Sequence, residues 1–182
     1  RVRRREHERP PRRGAGSACL VSEVDVVTTS RHRLIWDEIV SRMASIKTSN
    51  GYATNVKTAT KSPGIVAWTE IPPSARPWIG VIAQSRYPTP EPRRWRERAQ
   101  FDLVCILTAQ TEDAKFTAID ALEEDIRAAI GTDMRWGTNP DDNDPNAVTT
   151  NIVEIKTDDI LEPLQGALVV TIEVTYYREM LA

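Results

Sequence analysis

The chain is poor in the residues that most often carry chemistry. Among 182 residues there are two cysteines, two histidines and two phenylalanines. His7 lies in an arginine-rich leader and His32 at the start of a helical pattern, and neither has a partner pattern for a Ser-His-Asp or Cys-His device. Cys105 sits within an apolar strand pattern, where a cysteine is a small core hydrophobe, and Cys19 sits in the polar leader. A disulfide between them is not expected, and a reducing compartment fits. No glycine-rich phosphate loop occurs. The longest plain apolar run is Leu103–Leu107, far short of the roughly 18 residues a membrane helix needs. "SACLVSEVDVV" is interrupted by Glu23 and Asp25 and makes a poor signal-peptide core.

Charge is unevenly placed. Residues 1–29 hold seven arginines against four acidic residues, a local +3, and the remaining 153 hold 17 basic and 22 acidic residues, giving −5. A mildly acidic body argues against a general nucleic-acid binder. The leader, with Pro10-Pro11 and glycines at 14 and 16, has no helical or strand period and reads as a disordered basic extension. A basic arm touching nucleic acid or an acidic neighbour is the sharper alternative. The chain begins at Arg1, so the leader also reads as a processed or mis-assigned extension of a domain that starts near Val27. Residues 30–182 are long enough for one domain, and 40% hydrophobic content supplies its core.

Within that domain, Ser30 is placed as an N-cap. Leu34, Ile35, Trp36, Ile39, Val40, Met43 and Ile46 make one apolar helix face over about 31–47, stopped by Asn50-Gly51. Tyr52–Lys57 alternates and predicts a half-exposed strand. Residues 61–77, with five Pro or Gly, predict a loop. Trp78–Ser85 predicts a strand, and the proline-rich residues 86–97 a long exposed connection. Phe101, Leu103, Cys105 and Leu107 predict one buried strand face, with Val104 and Ile106 covered on the other. Thr111 opens a second helix with a stripe of Phe116, Ile119, Leu122, Ile126, Ala129 and Ile130, ended by Gly131. Glu123, Glu124 and Asp125 read as its solvated face. A polar loop, 132–147, and two strands at about 148–156 and 167–178 complete the chain. Neighbouring strands joined by irregular loops are expected to pair antiparallel. The expected fold is α+β: an antiparallel or mixed sheet of about four to five strands with two helices packed on one face.

Two loops stand out. Arg93, Arg94 and Arg96 surround Trp95, a mixture that suits a protein contact and, as an alternative, a single nucleic-acid strand. The second loop carries Trp136 with Asp141, Asp142 and Asp144. Its acidic run lacks the Gly and Glu of a calcium loop, so a solvated loop is expected, with no metal, cofactor or catalytic residue.

The helix ending in "NGY", the proline-rich passage to "RPWIGVIAQS", the helix "AKFTAIDALEEDIRAAIGTD" and the final "VTYYR" together resemble the bacteriophage tail terminator and minor tail protein family of long-tailed phages. The resemblance covers about residues 31–182 and lies in element order and short phrases, not in an invariant motif. It implies a non-enzymatic virion protein, a ring of six copies at the head-proximal end of the tail. The ring's partners are the major tail protein of the tube and the head-connector protein, and DNA passes its lumen without specific binding. The resemblance involves no membrane. Assembly in the bacterial host cytoplasm goes with it. Another neck or head–tail joining protein is the nearest alternative, and a small soluble enzyme, ligand-binding or nucleic-acid-binding domain is the alternative from a different class. Opposite charge on the two loops, with Arg93, Arg94, Trp95 and Arg96 on one and Trp136, Asp141 and Asp142 on the other, offers two unlike surfaces for contact between copies.

Overall fold

The computed structural model describes residues 30–138, 143–158 and 164–179; the expected leader, 1–29, lies outside them. Among the described residues there are two helices, α1 (Arg31–Ala44) and α2 (Glu112–Thr132). Five strands complete the elements: β1 (Thr58–Ser62), β2 (Trp78–Glu91), β3 (Arg94–Thr108), β4 (Thr149–Asp158) and β5 (Gln165–Glu179). They form one mixed sheet in the order β1-β2-β3-β5-β4 with both helices on one face, an α+β architecture. The expectation of purely antiparallel neighbours fails once, because β1 and β2 pair in parallel. The segment between them, 63–77, returns the chain behind the sheet, where Ile71 packs on Trp78 and Ile106, and makes that pairing possible.

The core follows from two periods. Phe101, Leu103, Cys105 and Leu107 of β3 and Leu168, Val170, Ile172, Val174 and Tyr176 of β5 alternate inward and are almost fully buried. Ile35, Ile39 and Met43 of α1 and Ile119, Leu122, Ile126, Ala129 and Ile130 of α2 close over them. Each such aliphatic side chain removed from water contributes about 1.5–3 kcal/mol. Burial pushes the Cys105 thiol well above its ordinary pKa, as befits a core residue. Behind the sheet, Ile106 packs with Ile71 and Trp78, so β3 is covered on both faces as its sequence predicts.

Several boundaries differ from expectation. The Ser30 side chain caps α1 as expected, but the helix stops at Ala44. A short turn, Thr48–Asn50, follows, and Gly51 at φ +90° ends that turn and not the helix itself. Tyr52–Lys57 is not a strand: its backbone N–H groups donate to Asp125, Lys47, Ile46 and Pro77 and not to a sheet ladder. Asp125 is therefore buried and engaged, against the solvated reading of the acidic run. Phe116 is 49% exposed and leaves the expected stripe. Gly131 lies inside α2, and Asp133 is the residue that ends it.

Candidate assembly surface

The largest departure concerns residues 86–97. They form the outer half of a hairpin in which β2 and β3 pair from Trp78↔Ile106 out to Glu91↔Arg94. Three prolines argue for an irregular connection here. They do not prevent a strand, because β1 covers β2 only over Trp78–Ile82 and no strand among the described residues pairs with the far edge of β2 beyond it. Pro88 and Pro90, two residues apart, turn the same backbone edge outward, where a missing N–H costs no ladder bond. Pro92 then sits in the two-residue turn, followed by Arg93 at φ +70°, a left-handed value that favours glycine.

The result is an arm. Ser85 to Pro88 and Pro92 to Arg94 are exposed, whereas the same strands are buried at Trp78–Ile82 and largely so at Leu103–Leu107. The seven residues Ser85–Glu91 extend about 20 Å. β5 supports the arm on its inner side, with Arg94↔Glu179, Trp95↔Arg178 and Arg96↔Tyr177 in register.

Alternation divides its side chains between two faces. On the face away from the helices, Glu91 receives Arg94 Nε at 3.2 Å and Arg96 Nε at 3.5 Å, and the Arg94 guanidinium lies 3.6 Å over the Tyr177 ring. These contacts hold the arginines in defined places. On the helix-side face, Arg86, Pro88, Trp95, Glu97 and Arg178 line an open cleft of about 480 Å³. Its floor is fixed by Glu97, 5% exposed, whose Oε2 accepts from Tyr176 Oη at 2.6 Å and whose Oε1 meets Arg178 Nη1 at 3.4 Å. Burial, then the hydrogen bond and the charge of Glu97, raise the Tyr176 phenol far above its usual pKa and keep it a donor. His32 stacks on Phe101 at 5.2 Å beside this group, and its Nε2 is buried with no hydrogen-bond partner among the described residues. Burial and the Arg86 guanidinium lower its pKa, against Glu97, with Lys61 adding to the lowering.

The second expected surface changes. Trp136 is fully buried: its Nε1 donates to Thr150 Oγ1 at 2.7 Å, and the Arg42 guanidinium covers the ring at 4.4 Å. It is a core residue of this domain and not an exposed contact. Asp133 folds the loop back by accepting from the N–H groups of Arg135 at 2.9 Å and Gly137 at 3.0 Å. Burial acts to raise the Asp133 pKa; the Gly137 and Arg135 hydrogen bonds and the Arg42 guanidinium outweigh it and hold the carboxyl below its ordinary value. Asp141 and Asp142 lie outside the described residues. Asp144 lies 3.9 Å from Arg31. A second concavity, lined by Arg31, Arg135, Asp144 and Tyr177 among others, places this loop at the end of the sheet where Tyr177 also meets Arg94 of the arm.

Among the described residues no group of three or more His, Cys, Asp or Glu side chains converges on a metal position, and no helix is long and apolar enough to cross a membrane. Sequence reasoning missed Glu97, Tyr176 and Arg178. Their signal was faint: a lone Glu among arginines and a tyrosine pair at the end of a strand. No protein-family model matches the chain, and no curated protein compared with it matches either.

Proposed function

We propose that the chain is a structural subunit of a phage tail: a tail terminator whose copies form a ring at the head-proximal end, stop tube polymerisation and join the tail to the head connector. The arm carries this reading. It is an exposed, braced β-hairpin with arginines and Trp95, residue types enriched where protein interfaces draw most of their energy. Its tip holds Arg93 in a left-handed conformation, at a cost of about 1–2 kcal/mol relative to glycine. The resemblance in element order and phrases supplies the ring, its six copies, and the tube and connector as partners. The net −5 of residues 30–182 suits a lumen through which DNA slides. Arg94, Arg96 and Arg98 of the arm are paired with Glu91 and Glu173, which favours a protein contact over a nucleic-acid strand.

Sedimentation velocity and negative-stain imaging of the purified chain test the reading. Closed rings are expected from the wild type, and mostly single subunits from Arg94→Glu/Trp95→Ala with its thermal midpoint little changed. A wild type that stays single at every concentration, or a double variant that forms the same rings, would overturn it.

A further inference from the structure

A ring built by head-to-tail contact needs a second surface unlike the first, and with Trp136 buried the acidic loop no longer supplies its aromatic anchor. The outer face of α2 does. Asp113, Asp120 and Glu124 are exposed, and at 3.6 residues per turn their spacings of seven and four set them within about 40° of one line. Eleven residues separate the first from the last, a rise of about 16 Å, close to the length of the arm. Phe116 lies beside this line and is half exposed, although the other large apolar side chains of α2 are buried.

The charges on this line are free to be used. Asp113, Asp120 and Glu124 make no ion pair or side-chain hydrogen bond among the described residues. Many other surface carboxylates are engaged: Asp37 with Lys61, Glu38 with Arg42, Glu91 with Arg94, Glu154 with Lys156. The cleft of the arm is complementary in net charge: two cations, Arg86 and Arg178, stand with Trp95 and Pro88 over one buried carboxylate, Glu97, which Arg178 meets at 3.4 Å.

We infer that the arm's cleft seats the Asp113–Phe116–Asp120–Glu124 face of α2 from a second copy, the carboxylates meeting Arg86 and Arg178 and Phe116 meeting Trp95 and Pro88. This rests on the ring reading and adds the receiving surface. The two surfaces differ, so each copy gives its arm to one neighbour and its α2 to the other, which is the arrangement that closes a ring. Opposite charge guides the approach and disfavours arm-to-arm pairing.

The test is a charge exchange followed by sedimentation velocity. Asp120→Lys/Glu124→Lys changes only exposed positions and leaves the fold intact. It is expected to raise the concentration for half-assembly at least tenfold, as is Arg86→Glu. Mixed in equal amounts, the two variants are expected to recover assembly, because an arm of one kind then meets an α2 of opposite charge. Phe116→Ala is the uncharged check and is expected to weaken assembly as well. If the wild type assembles while both α2 variants assemble equally well, the arm docks elsewhere and this inference falls while the ring reading stands. If the wild type does not assemble at all, both fall together.

Discussion

Asp125 holds Thr54 by two atoms: its Oδ2 accepts from Thr54 N at 2.7 Å and from Thr54 Oγ1 at 2.6 Å, while its Oδ1 takes Ala53 N at 3.0 Å. This one carboxylate ties the chain after α1 to α2. Hydrogen bonds to a charged acceptor contribute about 1.5–3 kcal/mol, and an orphaned buried N–H adds its own penalty. Asp125→Ala is expected to cost about 3 kcal/mol in urea titration, and Asp125→Asn less. An unchanged midpoint for the alanine variant would show that the loop is held by something else.

Two glycines separate backbone strain from space. Gly51 has φ +90° and nothing within 4 Å of where a Cβ would stand, so Gly51→Ala carries only the left-handed penalty, about 1 kcal/mol. Gly80 has no unusual φ, but a Cβ there would fall 2.2 Å from the Trp78 ring. Gly80→Ala must push the indole off the back of the sheet and is expected to cost about 1–3 kcal/mol. Combining Gly80→Ala with Trp78→Leu should cost less than the sum of the two. Strict additivity would place the cost elsewhere.

His32 makes stability depend on mild acid. Its folded pKa lies below the ordinary imidazole value of 6.5, by burial first and then Arg86 and Lys61, opposed by Glu97. The unfolded chain therefore takes up the proton first. The stabilisation is full above about pH 6.5 and is lost as pH falls below it, until the folded form is protonated as well. The urea midpoint should decline as pH falls below about 6.5, with a shallower decline in His32→Gln. Identical slopes would mean that another group carries the effect.

Strong period made much of the fold legible. Phe101–Leu107 and Leu168–Tyr176 alternate without interruption, and the α2 stripe from Ile119 to Ile130 recurs at three and four; the inward positions of all three are buried as expected. The failures have physical causes. Tyr52–Lys57 alternates, but a carboxylate 72 positions from Ala53 in sequence claims the backbone N–H groups of Ala53 and Thr54, and no local pattern reports that. The prolines of 86–91 argue against a strand only if both edges are paired, and edge position is decided by where β1 stops. Trp136 in a polar loop looks like an exposed anchor until Thr150 supplies the buried acceptor for its indole N–H. The cleft under Trp95 depends on register between three strands, so Glu97, Tyr176 and Arg178 meet only in the fold.

The proposed reading, in which the arm joins this chain into a phage tail, is tested most directly by complementation in the phage that this reading requires to carry the gene. Loss of the gene, supplied in trans with Arg94→Glu/Trp95→Ala, is expected to give tails that fail to join heads or tubes of uncontrolled length, whereas the wild-type gene restores infectious particles. Normal virions from the double variant would remove the arm from assembly, and normal virions with no copy of the gene would contradict the structural role itself.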